Sequence, residues 1–471
     1  MHYLPADLLA NKPRLTMTTR PLVRFAPLAL ILLLASCAES HDDNTVTGKG
    51  SIRAINAIAE LNAVYFLIEE TLLAQLEFKE ASGTSSYDDL EYTFNFDTLL
   101  PGDTSDTRLI SSTLQVDPEY EHTFILAGSY EDPEIILWQQ FGRDWADEVE
   151  TATENDTEVT LMEVSFGNLS NVAGSVDVYF EAPGTSPEFA VPTATISYGE
   201  LHGPVELQSG SYQLVLTPAG DSSTVLFASD VLSVSAATSH LLNIMDDGGE
   251  TTAEFSVHWV GYGIELFDIN LQSEMRVVHA ALGTDPVDVV IDGDFGNPDV
   301  SSLSFASESP TVVIEPGPVS INVTPAGDTG VFLAERDLTI AAGDIDRMYL
   351  IGYPGAVQAV VLPEERRTLA THARFQVFQG AARYASVDLY LVDETVDISL
   401  IGPNYTSFAY GTGTGLVSVE PGAYNLFVTE SGTKNIIGGP YATELAANEN
   451  YGVVIVDSAN LQAVDVLDVD L

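Results

Sequence analysis

A six-residue motif recurs in this chain, and the repeat around it constrains the fold more than any other feature. The segment LTPAGD spans 216–221, and VTPAGD spans 323–328. A second motif precedes them and recurs elsewhere, as VDVYF at 176–180, VDVVI at 287–291, VDLYL at 387–391 and, more weakly, NAVYF at 62–66. Self-similarity at a roughly constant period indicates one structural unit that is used several times.

The repeated units carry the pattern of β-strands. Apolar and β-branched residues alternate with others over short runs, and turn-forming residues separate the runs. Helical periodicity is nearly absent. We therefore predict an all-β fold with four tandem immunoglobulin-like β-sandwich domains. The predicted domains are 51–142, which is the most divergent, 160–260, 274–363 and 373–471.

The TPAGD motif has two interpretations, a binding loop used twice or a turn that each unit needs. Pro218 is suited to the second position of a turn, and Gly220 then supplies positive φ. Asp221 is expected to accept a hydrogen bond from a nearby backbone amide. The fourth unit keeps the glycine, Gly432, but replaces Pro-Ala with Glu-Ser. Only the backbone shape is retained, which favours the turn.

The segments between units differ in composition. Residues 143–159 are acidic and predict a linker, as do residues 363–372. Residues 261–273 are apolar and contain no proline. We therefore expect units two and three to pack together more firmly than the others. Four sandwiches in a row predict an elongated rod.

The N-terminal region has the pattern of a lipoprotein signal peptide. Arg20 and Arg24 precede an apolar run at 25–35, which is too short to span a membrane. The ending Leu-Ala-Ser-Cys resembles a bacterial lipobox and implies cleavage before Cys37 and lipid on its thiol. The predicted signal peptide is 1–37, with Met17 as a possible true start, and 38–50 is a predicted flexible tether. An ordinary signal peptide with an incidental cysteine is the alternative.

Charge limits the partners. The chain has 69 acidic residues against 17 Lys and Arg, a formal net charge of -52. Nucleic-acid binding requires basic residues that neutralise phosphates, so no nucleic-acid partner is expected. A polybasic membrane patch is excluded in the same way. The acidic surface fits a high-salt environment, such as a marine one, or simple solvation.

The third unit resembles a family of uncharacterised domains that are repeated in secreted and lipid-anchored bacterial proteins. The resemblance rests on MRVVHA at 275–280, VDVVIDG at 287–293, and EPG with INVTPAGD within 315–328. It extends more weakly over most of 51–471. It implies an immunoglobulin-like sandwich and an extracytoplasmic location. The family supplies no catalytic residues to carry over.

Catalytic and metal motifs are scarce. The eight His residues show no HExxH spacing, and no GxSxG segment occurs. His279 is interpreted as a buried strand-end residue, and GTGTG at 411–415 as a hairpin loop. The best metal candidate is DGDFGNPD, in which Asp292, Asp294 and Asp299 are possible calcium ligands, although such turns also occur without ions. We predict no cofactor, no metal and no catalytic residue.

The predicted function is a structural, adhesive or binding role in the cell envelope. The membrane is a partner through lipid on Cys37, and a polysaccharide or an envelope protein is the expected ligand. The location is extracytoplasmic, in the outer membrane or on the surface of a Gram-negative bacterium. A periplasmic accessory subunit and a carboxylate-based hydrolase are the alternatives. Exposed aromatic residues on one face would favour sugar binding. The alternative for Trp138, Trp145 and Trp259 is that they cover domain junctions.

Overall fold

The structure is a computed structural model that describes residues 48–459 and 463–469. The predicted signal peptide, Met17 and Cys37 lie outside the described residues, as does most of the predicted tether. The sheets form four sandwiches, I to IV, in chain order.

Sandwiches I and II follow one another along the first half of the described chain. The strands of sandwich I are β1 (Lys49–Asn56), β2 (Val64–Ile68), β3 (Thr71–Leu76), β4 (Ser85–Asp88), β5 (Glu91–Thr98), β6 (Thr107–Gln115), β7 (Tyr120–Gly128) and β8 (Pro133–Phe141). Those of sandwich II are β9 (Leu161–Asn168), β10 (Val176–Glu181), β11 (Ala194–Ile196), β12 (Leu201–Gln208), β13 (Gly210–Pro218), β14 (Phe227–Ala228), β15 (Leu232–Val234), β16 (Ser239–Asp246), β17 (Phe255–Val260) and β18 (Ile264–Leu266).

Sandwiches III and IV follow in the second half. The strands of sandwich III are β19 (Ser273–His279), β20 (Val287–Ile291), β21 (Val300–Leu303), β22 (Ser307–Glu308), β23 (Val312–Ile314), β24 (Gly317–Pro325), β25 (Ala334–Ile340), β26 (Ile345–Ile351) and β27 (Gln358–Pro363). Those of sandwich IV are β28 (Ala373–Gln379), β29 (Ser386–Asp393), β30 (Tyr405–Ala409), β31 (Val417–Val419), β32 (Gly422–Glu430), β33 (Ile436–Leu445), β34 (Asn450–Asp457) and β35 (Val464–Val469).

The four sandwiches share one topology. In each, the first strand pairs in parallel with a late strand of the same sandwich: β1 with β7, β9 with β16, β19 with β26 and β28 with β34. The second strand belongs to the opposite sheet and pairs with antiparallel neighbours. The predicted all-β fold of several sandwiches is confirmed, while the immunoglobulin-like assignment stays a prediction.

Each sandwich encloses its own apolar core, because alternate residues of every inner strand face the opposite sheet. In sandwich II, Val164 on β9 and Val178 on β10 belong to the same buried cluster. In sandwich IV, Phe375 on β28 and Leu389 on β29 do so. Equivalent clusters fill sandwiches I and III.

The turn interpretation of TPAGD is confirmed. Gly220, Gly327 and Gly432 have φ of 80°, 75° and 73°, in the left-handed region that favours glycine. The carboxylate of Asp221 accepts from the backbone N–H of Ser223 at 3.0 Å, as expected. The motif is therefore a structural turn in sandwiches II and III, and sandwich IV keeps the same turn glycine without the rest of the motif.

The two repeated motifs form one unit. The turn glycine donates its N–H to a buried aspartate of the VD motif: Gly220 to Asp177 at 2.7 Å, Gly327 to Asp288 at 2.8 Å and Gly432 to Asp388 at 2.8 Å. In sandwich I the NAVYF segment has Ala63 at the aspartate position. The physical reason for the Asp in each VD motif is thus the hydrogen bond to its own turn.

Replacing Gly220 with valine is expected to destabilise sandwich II by about 2 kcal/mol and to lower its melting temperature by about 8 °C. A Cβ at Gly220 would meet no heavy atom within 4 Å, so the cost comes from φ and not from a clash. Calorimetry of residues 38–471 measures the shift. Gly402→Val, at an equally open position without positive φ, is the control. Equal melting temperatures for the two variants would contradict the turn.

One helix departs from the sequence prediction of an acidic linker. Helix α1 (Trp145–Glu154) joins sandwiches I and II and has no buried residue. Asp144 caps it and accepts from the N–H groups of Ala146 and Asp147 at 3.0 and 3.1 Å. Because the helix is held by its cap and by acidic residues in its first turn, it needs no apolar periodicity.

The buried apolar junctions also differ from the prediction. One cluster joins sandwich I to sandwich II through Ile125, Trp138 and Met245. Another joins sandwich III to sandwich IV, where the rings of Tyr349 and Phe378 stack at 3.7 Å. Firmest packing was expected between sandwiches II and III, across 261–273. That segment instead supplies β18, and Leu266 is buried in the core of sandwich II.

The predicted elongated rod is wrong for the part of the chain that the structure describes. The connector between sandwiches III and IV crosses to sandwiches I and II. Arg367 donates to the carbonyl groups of Ala59 and Leu61 at 2.9 and 3.2 Å. The N–H of Arg366 donates to the carbonyl oxygen of Gly249 at 2.7 Å. Sandwiches distant in sequence are therefore held together by the charged connector.

Candidate binding cleft

A cleft of about 880 Å³ lies between sandwiches I and II. Strands β1, β7 and β8 supply one wall, β9 and β16 supply the other, and the start of helix α1 closes one side. A cleft of this size between two domains is a common place for a ligand site.

The wall of sandwich I presents the outward residues of its strands. Arg53 pairs with Glu121 through Nη2, and the same nitrogen lies 3.4 Å from the hydroxyl of Thr123. Burial lowers the pKa of Arg53, and the charge of Glu121 opposes that shift. The Arg53 Nε atom is buried without a hydrogen-bond partner in the described structure. This pair is a polar anchor at the base of the cleft.

An aromatic pair stands at the rim. Tyr120 and Phe141 are direct cross-strand neighbours at the ends of β7 and β8. Their rings lie 5.8 Å apart in an edge-to-face arrangement, and the residues are 41% and 58% exposed. Singly exposed apolar residues are common, whereas adjacent ones form a contiguous patch that marks an interaction site. The pair forms an apolar platform beside polar groups.

Arg143 connects the helix to sandwich II. Its guanidinium contacts Glu148 at 2.6 and 2.9 Å, Glu163 at 2.8 Å and Glu206 at 2.9 Å. These hydrogen bonds, that to Glu148 above all, raise the pKa of Arg143 well above its usual value. The same guanidinium lies 3.9 Å over the ring of Trp145. Trp145 is thereby held at the cleft wall.

Polar side chains continue across the second wall. Trp145 Nε1 donates to Ser239 Oγ at 2.8 Å, and Gln140 donates to Ser165 Oγ at 2.5 Å, joining the two sandwiches. His240 is buried and accepts the Nε1–H of Trp259 at 3.0 Å. Burial lowers the pKa of His240, so the imidazole is neutral at pH 7.

Two of the three tryptophans lie at a junction between sandwiches, and the third lies in the core of one sandwich. Trp138 is buried in the junction of sandwiches I and II and donates to the carbonyl oxygen of Gly199 at 2.9 Å. Trp145 lies at the same junction. Trp259 instead belongs to the core of sandwich II. The junction interpretation is therefore confirmed for two of them and wrong for Trp259.

The three aspartates that the sequence offers as the best metal candidate are not grouped as a metal site in the described residues. The carboxylates of Asp292, Asp294 and Asp299 accept from the backbone N–H groups of Ser320, Gly296 and Ile291, at 3.0, 3.2 and 2.8 Å respectively. Within residues 48–459 and 463–469, no group of three or more His, Cys, Asp or Glu side chains is placed to hold a metal ion. These aspartates shape their own loop.

Two further residues that the sequence analysis singled out are His279 and Cys37. His279 ends β19 and is buried, and its Nδ1 accepts from the N–H of Ala281 at 3.3 Å. Burial lowers its pKa. The lipidation residue Cys37 lies outside the described residues. Across the part of the chain that is described, no helix is both long and apolar enough to cross a membrane.

Comparison with known proteins identifies one domain. Residues 273–390 match the family described as a domain of unknown function, DUF4397. The match covers sandwich III and the first strands of sandwich IV. No curated protein matches the chain.

Several solved structures are similar to the chain at low identity. The Bacillus anthracis TIE protein is 10% identical, with 87% of this chain and 68% of that one covered and a TM-score of 0.15. CBMbc, a family CBM26 module of Eubacterium rectale Amy13K in complex with maltoheptaose, is 11% identical, with coverage of 45% and 96% and a TM-score of 0.14. A putative cell adhesion protein from Bacteroides fragilis NCTC 9343 is 12% identical, with coverage of 67% and 98% and a TM-score of 0.13. At these TM-scores the likenesses carry no argument about function.

Proposed function

We propose that the protein is a lipid-anchored binding protein of the bacterial cell envelope, and that the cleft between sandwiches I and II binds an uncharged polysaccharide. The observation that carries the proposal is the grouping of Tyr120, Phe141 and Trp145 around one polar cleft. Exposed aromatic residues on one face are the feature that we expect of a sugar-binding surface.

The chemistry of the cleft fits a sugar in two respects. Aromatic rings pack against the C–H faces of a pyranose, and amide, hydroxyl and carboxylate groups exchange hydrogen bonds with its hydroxyls. Gln140, Ser165 and Glu121 supply such groups within the cleft. The net charge of -52 and the carboxylates of both walls repel an anionic polymer. An uncharged glycan is therefore favoured over a uronic-acid polymer.

The hydrolase alternative gains no support from this cleft. A general acid needs a raised pKa, which burial or a like charge provides. Two of the cleft carboxylates are instead ion-paired, Glu121 with Arg53 and Glu163 with Arg143. The pKa of Glu148 is lowered by its hydrogen bonds to Arg143. The geometry favours binding without turnover.

The test is titration of residues 38–471 with soluble oligosaccharides, uncharged ones and one containing uronic acid, by calorimetry. We expect saturable binding of at least one uncharged glycan, weakened about tenfold by Phe141→Ala because the apolar platform is lost. Phe189→Ala is the matched control, since Phe189 is 88% exposed and lies outside the cleft. An affinity that Phe141→Ala leaves unchanged, or no binding to any uncharged glycan, would overturn the proposal.

The proposed anchor has a separate test in the source bacterium. Cys37→Ser is expected to release the protein from the membrane fraction, because the lipid acceptor is gone. Protease treatment of intact cells then asks which side the sandwiches face. Cleavage on whole cells supports a surface protein, whereas protection until the outer membrane is broken favours a periplasmic accessory subunit. Unchanged membrane association of Cys37→Ser would contradict the lipoprotein proposal.

A further inference from the structure

Sandwich IV contains an open apolar slot of about 290 Å³. It lies between the edge strands β30 and β31, which belong to opposite sheets. Phe375 and Val377 of β28 and Leu389 and Leu391 of β29 form its walls, and Val417 stands at its mouth, 37% exposed. None of the residues that line it is charged, although the chain has 69 acidic residues. The slot is an uncharged apolar site in a strongly acidic protein.

At one position beside the slot, the side chain of sandwich IV is smaller than that of sandwiches I and II. Leu391 pairs with Leu426 across the sheet, and the same register position is held by Phe180 in sandwich II and Phe66 in sandwich I. Phe180 is buried and stacks on Tyr212 with ring centroids 4.7 Å apart. Two sandwiches thus place a phenyl ring of their own where sandwich IV leaves room.

The glycine-rich loop 411–415 leaves the mouth of the slot uncovered. Thr414 ties the loop to β28, because its N–H donates to the carbonyl oxygen of Val377 at 2.9 Å and its Oγ1 accepts from the Val377 N–H at 3.0 Å. Thr414 lines the slot, whereas Gly413 packs against Leu362 of sandwich III and a Cβ at Gly415 would meet no heavy atom within 4 Å. The GTGTG motif therefore acts as an open rim rather than a phosphate cradle.

We propose that this slot binds the alkyl chain of a single uncharged molecule. No charged group lines it, so a charged head would lose its hydration without gaining a partner. Its volume is roughly ten times the 30 Å³ that one water occupies in the liquid, and a methylene group is of similar size. The slot therefore holds a chain of about eight to ten carbons. This site is independent of the proposed glycan cleft, which lies between other sandwiches.

The probe is the series of straight-chain alcohols from butan-1-ol to nonan-1-ol, titrated into residues 38–471 by calorimetry. These residues keep the whole compact unit Val46–Leu471. Each added methylene is expected to increase the affinity about fourfold, the equivalent of about 0.8 kcal/mol, until the chain fills the slot. Absence of saturable binding, or an affinity that does not rise with chain length, would overturn the proposal.

Variants locate the binding. Leu391→Phe gives sandwich IV the residue that sandwiches I and II have at this position, and it is expected to reduce the affinity for octan-1-ol at least tenfold. Ile291→Phe makes the same change at the equivalent position of sandwich III and should leave the affinity unchanged. Val417→Asp, at the exposed mouth, gives a second reduction that does not depend on repacking of the core. If both Leu391→Phe and Val417→Asp bind octan-1-ol with wild-type affinity, the alcohol binds elsewhere and the proposal is wrong.

Discussion

Replacing Lys79 with methionine is expected to lower the free energy of unfolding by about 3–5 kcal/mol, because it leaves one buried and two partly buried carboxylates without the cation that they share. Lys79 belongs to sandwich I and is almost completely buried against sandwich II. Its Nζ lies 2.6 Å from Glu265, 3.1 Å from Glu250 and 3.4 Å from Asp247. Asp247 is itself fully buried, so water cannot replace the lost partner.

The effect of Lys79→Met is measured as the melting temperature of the first calorimetric transition, with an expected fall of about 10 °C for a unit of two sandwiches. Lys49→Met is the matched control, because that lysine is exposed and pairs with Asp88 at 3.5 Å on the surface. Such exposed pairs contribute little. Equal melting temperatures for the two lysine variants would contradict the role of the buried cluster.

The same cluster predicts a pH dependence. Glu265 is partly buried, yet its hydrogen bonds and the charge of Lys79 lower its pKa to about 2. A lowered folded-state pKa stabilises the protein above the unfolded value, and this contribution is lost as the pH falls toward 2. Burial opposes the charge of Lys79, but the three carboxylates raise its pKa overall, so its contribution persists until strongly basic pH. The difference between wild type and Lys79→Met should therefore shrink between pH 5 and pH 2.

Local features of the sequence predicted local features of the fold. Strands and the PAGD turn depend on residues close together in the chain, since alternation sets the buried face of a strand and Gly220 sets the sign of φ. The role of Asp177 was not predicted. Its partner Gly220 lies in the turn that follows β13, and only the antiparallel pairing of β10 with β13 brings the two residues together.

The contacts between sandwiches could not be predicted in the same way. The cleft is lined by Arg53, Phe141 and Glu163, which lie at outward-facing positions on three different strands. An outward-facing residue of a strand occupies the same place in the alternating sequence pattern whether it contacts solvent or a neighbouring domain. One usable signal was present, since Tyr120 and Phe141 are aromatic residues at the outer ends of adjacent strands. The prediction of an elongated rod was wrong for a related reason. The sequence places Arg367 in a linker, and no local pattern indicates its hydrogen bonds to the carbonyl groups of Ala59 and Leu61.

Replacing Asp388 with alanine is expected to destabilise sandwich IV by about 2–4 kcal/mol, because it removes the buried carboxylate that accepts hydrogen bonds from two backbone N–H groups. Asp388 is 4% exposed. One carboxylate oxygen accepts from the N–H of Gly432 at 2.8 Å, and the other accepts from the N–H of Ser407 at 2.7 Å. The two bonds join the central strand β29 to the turn after β32 and to the edge strand β30. Neither strand pairing nor the apolar core can replace them.

Replacing Asp388 with asparagine distinguishes the effect of the charge of the side chain from the effect of its size. Asp388→Asn keeps the size of the side chain but offers a single oxygen, and its NH₂ group faces one of the two N–H donors. We therefore expect a loss of stability close to that of Asp388→Ala. Calorimetry gives the melting temperature, and hydrogen exchange at Gly432 and Ser407 reports whether those amides lose protection. Asp465→Ala, at an exposed position on β35 of the same sandwich, is the control. If Asp388→Ala has the same melting temperature as the control and both amides stay protected from exchange, the aspartate of the VD motif does not stabilise the turn.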